Sequence, residues 1–346
     1  MKVDYIIVGC GLAGISICEQ LRRNGRSFVV FDNDSQHAST VAAGMYNPVI
    51  LKRFTEVWDA QLQLDIAMPF YAELEQLLQS TLIYPYPIYR RFSSVKEQNT
   101  WFEACDKPAL ENFLATQLIN NSFECIDAPF SFGEVKQAGR VDTNALIEGY
   151  KAYLKSNNSL ITTGFDFENL QHSKGGVIVN DIQANKIVFA EGYGVKSNPF
   201  FGDLPLKEAK GELMLIHAPD LKIDVIVKSS VFIIPEGNDH YSVGATYNWS
   251  DKSVQTTDAA KEELQTKLEK FLKCDYTVVE QYAGIRPTVV DRRPLLGRHN
   301  SHSNLYVLNG LGTRGVMLGP LMGQHLYNFM EKHIDLPEAI NIRRFS

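Results

Sequence analysis

Three glycines and an acid near the start of the chain can hold a phosphate and a sugar. Gly9, Gly11 and Gly14 follow the apolar run KVDYIIV and open a stretch of helical pattern that reaches Asn24; after Gly25 a second apolar run, SFVVF, leads to Asp32. Gly9 lets the chain turn sharply out of a strand, Gly11 leaves room for a pyrophosphate to touch the backbone, and Gly14 allows close packing of helix on strand. The free N–H groups and the dipole of the helix favour phosphate charge. Asp32 comes 18 residues after Gly14, near the roughly 20 expected of an acid that accepts hydrogen bonds from a ribose hydroxyl. An acid rather than an arginine there disfavours a 2′-phosphate, which leaves FAD or NAD.

Two more groups can do chemistry. The run Gly310-Leu311-Gly312-Thr313-Arg314-Gly315 follows the strand-like LYVLNG and opens another helical stretch. Like the first turn it offers backbone N–H groups to an anionic or electron-rich atom; a helix-capping turn with glycines for packing is the plain alternative. Arg286, in Gly284-Ile285-Arg286-Pro287, stands between a strand and a proline, and its planar fork can grip a carboxylate through two parallel bonds. A structural salt bridge is the competing role.

The elements that must position these groups can be read from periodicity. Residues 55–79 have a broad apolar helical face, and the Pro-rich 84–87 segment breaks it. Asp142 is a candidate N-cap for a helix over 145–154. Strand-like runs occupy 160–163, 177–180 and 187–190. Four more (ELMLIHA, KIDVIVK, VFIIPEG and HYSVGATY) lie between 211 and 247 at the spacing of an antiparallel sheet. A charged amphipathic helix over 256–272 and a strand over 276–285 follow, and the chain closes with a strand and a helix over 315–330. Parallel-type units at both ends with an antiparallel run between them predict an α/β fold: a Rossmann-like nucleotide domain built from separate segments, with an inserted α+β second domain. The 346 residues, 45% apolar and 21% charged, suit one large or two medium domains. The net charge of −6 gives no sign of a nucleic-acid partner. Five cysteines without metal-like spacing predict reduced thiols, no bound metal and a cytoplasmic protein. No apolar run is long enough to span a membrane.

The ordered set of landmarks resembles the FAD-dependent oxidoreductase family of D-amino acid oxidase, glycine oxidase and sarcosine oxidase. The landmarks are the N-terminal unit, Ala42-Ala43-Gly44-Met45, Gly139-Arg140-Val141-Asp142, Phe189-Ala190-Glu191-Gly192, Lys210-Gly211-Glu212, Val243-Gly244-Ala245-Thr246, Gly284 to Pro287 with Asp291 and Pro294 to Gly297, and Gly310 to Pro320. The resemblance implies a discontinuous FAD-binding domain over 1–80, 139–205 and 285–346 and a substrate domain over 81–138 and 206–284. It implies that Gly9, Gly11, Leu12, Ala13, Gly14, Asp32 and Asn33 hold the ADP half of FAD. Ala43, Gly44 and Met45 would pass beside the isoalloxazine, Gly192 would lie near the pyrophosphate, and Gly312, Thr313, Arg314, Gly315 and Val316 would cover the pyrimidine end. Arg286 matches the substrate-carboxylate arginine, Tyr247 and Met45 are pocket walls, and Arg314 stands with them at the reaction site.

The implied reaction is oxidation of an amine beside a carboxylate, of the glycine, N-methylglycine or D-amino acid type. Hydride passes to flavin N5, and the resulting imine hydrolyses; the acceptor that reoxidises the flavin is oxygen or another species. Val41 stands where covalent relatives have a histidine, and no cysteine follows Cys274, so FAD should be non-covalent. Glu191 in place of a small residue and the Arg292-Arg293 pair depart from the family pattern. One alternative substrate is the carboxymethylaminomethyl group of tRNA wobble uridine. Another reading is a non-catalytic flavin-binding protein. The side chain and amine substitution of the substrate, and the oligomeric state, stay open.

Overall fold

The computed structural model describes residues 1–35, 38–173 and 175–345. Its first sheet begins with Lys2–Val8, whose Tyr5 to Val8 are buried as expected for a strand covered on both faces. Phe28–Phe31 and Ile182–Phe189 flank it in parallel, Leu160–Ile161 extends one side, and Leu305–Asn309 extends the other. The order of strands therefore reverses around Lys2–Val8. Gly176–Val179, Leu170–Ser173 and Leu295–Arg298 complete the eight strands with antiparallel pairings. Val8 is in register with both Phe31 and Phe189, and Phe189 with Val307. Four carboxyl ends are thus level, the place where open α/β sheets bind ligands.

Two helices close on one another behind those ends. Leu12–Arg23 and Gly315–Glu331 approach so tightly that a Cβ on Gly323 would stand 2.6 Å from the Ser16 carbonyl oxygen. The second sheet has seven strands, in the order Thr277–Val289, Leu206–His217, His240–Gly244, Phe232–Gly237, Ile226–Lys228, Ile88–Arg91 and Phe132–Val135. Only the Ile226–Lys228 and Ile88–Arg91 pair is parallel. One face packs Met214, Ile216, Ile233 and Val243 against Leu264 and Leu268 of helix Asp258–Leu268. The other turns Leu213, Ile226, Phe232 and Ile234 into the core shared with the first sheet's helices.

The sequence expectations differ from the structure at two places that matter for the site. Thr55–Glu56 is a strand paired with Val49–Ile50, and the helix runs over Ala60–Leu78; Asp59, with φ of 48°, interrupts any continuous helix from residue 55. Arg286 stands inside a strand, not at its end. Thr277–Val289 continues through Pro287 because it lies at the edge of the sheet, where a missing N–H is tolerated. Residues 285–289 therefore belong to the second sheet. Asp142 does cap helix Thr143–Ser156, accepting from Ala145 N at 3.0 Å. Among the described residues no helix is long and apolar enough to cross a membrane.

Candidate functional site

A cleft of about 640 Å³ opens at the level carboxyl ends and extends under the second sheet. Its size lies within the range of ordinary small-molecule and cofactor sites, about 300 to 1,000 Å³. Gly9, Gly11, Leu12 and Ala13 line it from the first turn, Asp32 and Asn33 from the end of Phe28–Phe31, and Ala43, Gly44 and Met45 from the loop that follows. Gly192, and Gly312, Thr313, Arg314, Gly315 and Val316 from the last turn, close the nucleotide side; Tyr247 and Arg286 come from the second sheet. Gly14, the remaining residue expected at the cofactor, stands behind the cleft wall. A Cβ there would lie 2.0 Å from the Gly9 carbonyl oxygen, so its requirement is the close approach of helix to turn.

Gly9 has φ of 101° and no space for a side chain against Ala190. A Cβ on Gly11 would come 3.0 Å from Ser39 Oγ, and Ser39 Oγ accepts from Leu12 N at 3.3 Å. Ser39 is therefore a cleft residue that sequence reading missed, hidden in an unpatterned run of small residues. Asp32 accepts from Cys10 N at 2.6 Å through Oδ2 and from Lys151 Nζ at 2.7 Å through Oδ1. Lys151, also missed, reaches it from helix Thr143–Ser156, a contact between distant segments that leaves no local mark. Gly44, with φ of 70°, is packed against the Val141 carbonyl.

Both helices that begin at the cleft lack a side-chain N-cap hydrogen bond. Of the other long helices three carry one, from Ser94, Asp142 and Thr257, and Ala60–Leu78 does not. Leu12 N is met by Ser39 Oγ; the remaining first-turn N–H groups need partners, and here they face a cavity that suits an extended ligand with an anion at one end and electron-rich atoms at the other. A Cβ on Gly192 would meet nothing within 4 Å and would take up space in the cleft. These features fit FAD: the turn at Gly9 to Ala13 would take the pyrophosphate, and Gly312 to Val316 the flavin pyrimidine. Asn309 ties the two sides, donating to the Gly192 carbonyl at 2.9 Å while its Oδ1 accepts from Gly310 N. Glu191, beside Gly192, is half-buried; burial pushes its pKa up to about 7, while a hydrogen bond from Asn198 at 2.7 Å opposes the rise.

On the second sheet the Arg286 guanidinium lies across Gly211, where a Cβ would stand 1.9 Å from Nη2. Arg286 Nη1 donates to the Thr246 carbonyl at 3.3 Å, and the Tyr247 ring packs 4.5 Å from the guanidinium. Burial lowers the Arg286 pKa, and no carboxylate among the described residues pairs with it. Arg314 Nη1 donates to the Asn47 carbonyl at 3.2 Å, and its pKa too is lowered by burial. Tyr247 is more exposed than a pocket wall need be, at 56%; it forms the rim. Met45 is partly buried and paired with Arg140.

Comparison with known proteins brings in independent information. The family model described as FAD dependent oxidoreductase matches residues 4–328. Glycine oxidase of Bacillus subtilis is 27% identical over 212 residues, covering 56% of this chain and 57% of that protein. The tRNA 5-methylaminomethyl-2-thiouridine biosynthesis bifunctional protein MnmC of Marinobacter nauticus is 22% identical over 370 residues, covering 98% of this chain and 56% of that protein. The chain thus spans little more than half the length of these curated relatives. The crystal structure of glycine oxidase from Bacillus cereus superposes with a TM-score of 0.80 at 17% identity, covering 97% of this chain and 99% of that one; at that identity the likeness is one of fold.

Proposed function

The chain belongs to the FAD dependent oxidoreductase family, an enzyme whose cofactor is FAD, and on that premise we propose that it oxidises an amine on a carbon that bears a carboxylate. The observation that carries the reading is Arg286: a half-buried guanidinium, paired with no carboxylate among the described residues, laid against Gly211 and lining the cleft. Desolvating such a cation is unfavourable unless something answers its charge. A substrate carboxylate does so through two parallel hydrogen bonds.

A bound flavin supplies the acceptor for two electrons and the substrate's α-hydrogen. The chain's own part is positioning. Arg286 fixes the carboxylate, which restricts where the adjacent C–H and amine can point. Leu213, Phe232, Ala245 and Met45 give that end of the cleft apolar walls, which exclude water and strengthen the ionic contact. The imine product hydrolyses in water without a side-chain acid or base. The test is a panel of glycine, N-methylglycine, D-amino acids and proline mixed anaerobically with the FAD-loaded enzyme, followed by admission of air. Flavin bleaching by at least one of them is expected. If none bleaches the flavin, the proposal fails.

A second reading takes the same group on a large carrier, the carboxymethylaminomethyl uridine of a tRNA. Exposed Tyr247 and Trp249 favour it, together with Arg293 over the Trp58 ring at 4.6 Å and Arg292 near enough to lower the Arg314 pKa. Aromatic faces and arginines suit unstacked bases and phosphates. Its test is tRNA binding that weakens steeply with salt.

A further inference from the structure

The charge lining the cleft is divided by position. Its carboxylates, Asp32 and Glu191, stand on the first sheet's turns together with Arg314, whereas Arg286 and Lys228 come from the second sheet. Arg286 and Arg314 each donate to a backbone carbonyl, and among the described residues Lys228 has neither a hydrogen bond nor an ion pair, only the Phe232 ring at 5.8 Å. The neighbouring cations are neutralised elsewhere: Arg90 pairs with Glu97 at 2.6 Å and Lys267 with Glu263 at 2.5 Å.

Lys228 points to the cleft by the logic of the sheet. It ends strand Ile226–Lys228, in register with Phe232 on one side and Arg90 on the other. Alternation puts Ile226, Lys228 and Phe232 on the face shared with Leu213, while Val227 and Ile233 enter the opposite core. Burial, reinforced by the positive charges of Arg90 and Lys267, pushes its pKa down to about 8. An amine held this way weakens the apo fold. The arrangement makes sense where a ligand brings the missing anion.

We propose that Lys228 is a second anion subsite, so that the substrate is a dicarboxylic amine: one carboxylate on Arg286 beside the oxidised carbon, the other on Lys228. This rests on the reading of Arg286 above. The strands of Arg286 and Lys228 are four steps apart in the sheet, and Lys228 is level with Tyr282, four residues from Arg286, which at about 4.8 Å per step and about 3.3 Å per residue puts the two backbones roughly 23 Å apart. Two long side chains reaching inward from those ends leave space for a short, linear dianion. Leu213 and Phe232 lie between them and form an apolar floor suited to its methylene groups.

The test uses FAD-loaded enzyme and unreactive probes. Malonate, succinate, glutarate and adipate are titrated against acetate, propionate and butyrate, following perturbation of the visible flavin band and the rise in Tm. The expected result is that at least one dicarboxylate binds about ten- to a hundredfold more tightly than the monocarboxylates. K228M should abolish that ratio without lowering the Tm of the unliganded protein, and K228R should restore much of it. R286L should weaken both classes of probe. A dicarboxylate preference that survives K228M overturns the second subsite while leaving Arg286 in place, as does a wild type with no preference. Absence of any carboxylate effect in the wild type overturns the Arg286 reading and this inference with it.

Discussion

One methyl group added at Gly211 moves Arg286 without removing its charge. In Gly211→Ala the new Cβ would stand 1.9 Å from Nη2, and 2.1 Å from Cζ and from Nη1. Non-bonded heavy atoms rest near 3.5 Å, so the guanidinium must retreat by about 1.5 Å. The contact is with the far end of a long side chain, which can swing away, and Gly211 lies inside strand Leu206–His217. Replacing a mid-strand glycine by alanine gains roughly 0.5 to 1 kcal/mol of backbone entropy, so the fold should keep its Tm. A misplacement of about 1 Å at a positioning group can cost on the order of a hundredfold in rate, equivalent to about 2.7 kcal/mol. That matches the roughly 1.5 to 3 kcal/mol of a charged hydrogen bond. The expected outcome is therefore a loss of about a hundredfold in kcat/KM for a carboxylate-bearing amine, with FAD affinity kept, because the pyrophosphate turn belongs to the other sheet. Anaerobic stopped-flow bleaching at varied substrate gives the rate, flavin fluorescence gives the affinity, and calorimetry gives Tm. Arg286→Lys is the companion variant, keeping the charge and losing the fork. Unchanged kcat/KM in Gly211→Ala, with Tm intact, would refute the claim that the guanidinium's position sets the rate.

Asp32→Asn keeps an acceptor for Cys10 N but loses the ion pair with Lys151, and FAD Kd should rise about tenfold or more; an equal Kd would remove Asp32 from the nucleotide site. Val41 offers no attachment atom, so acid precipitation should release all the flavin into the supernatant, and yellow pellets would contradict this. Glu191 binds a proton more tightly folded than unfolded, so the apo protein should lose stability as pH rises from about 4.5 to about 7. Glu191→Gln should flatten that part of a Tm profile, and an unaltered profile would show that the carboxyl does not titrate there. His172 and His299, whose pKa values burial lowers, act in the opposite sense. Their folded pKa values lie below 6.5, so stability should fall as pH drops through that value, and His172→Gln should lessen the acid loss.

What could be read from the chain depended on whether a residue's role is set by its neighbours in sequence or by its partners in space. The first turn was legible because glycine spacing encodes backbone geometry: Gly9 needs its positive φ and Gly14 its contact with the Gly9 carbonyl, both within six residues. The Asp142 cap was legible for the same reason. Lys228 was not. In IVKSSVF the lysine fits a solvent-facing position as well as a buried one, and only the parallel pairing of Ile226–Lys228 with the remote Ile88–Arg91 fixes which face it takes. Composition pointed the other way, since a net charge of −6 suggests a protein that repels anions. Over distances longer than about 8 Å, salt screens that average charge. Inside the cleft the local set prevails, and there Arg286, Arg314 and Lys228 come from three segments that only the folded sheets bring together. The preference for acidic substrates proposed above would therefore be a property of sheet order, and a variant that changes net charge on the outer surface should alter rates of encounter and leave the dicarboxylate ratio unmoved.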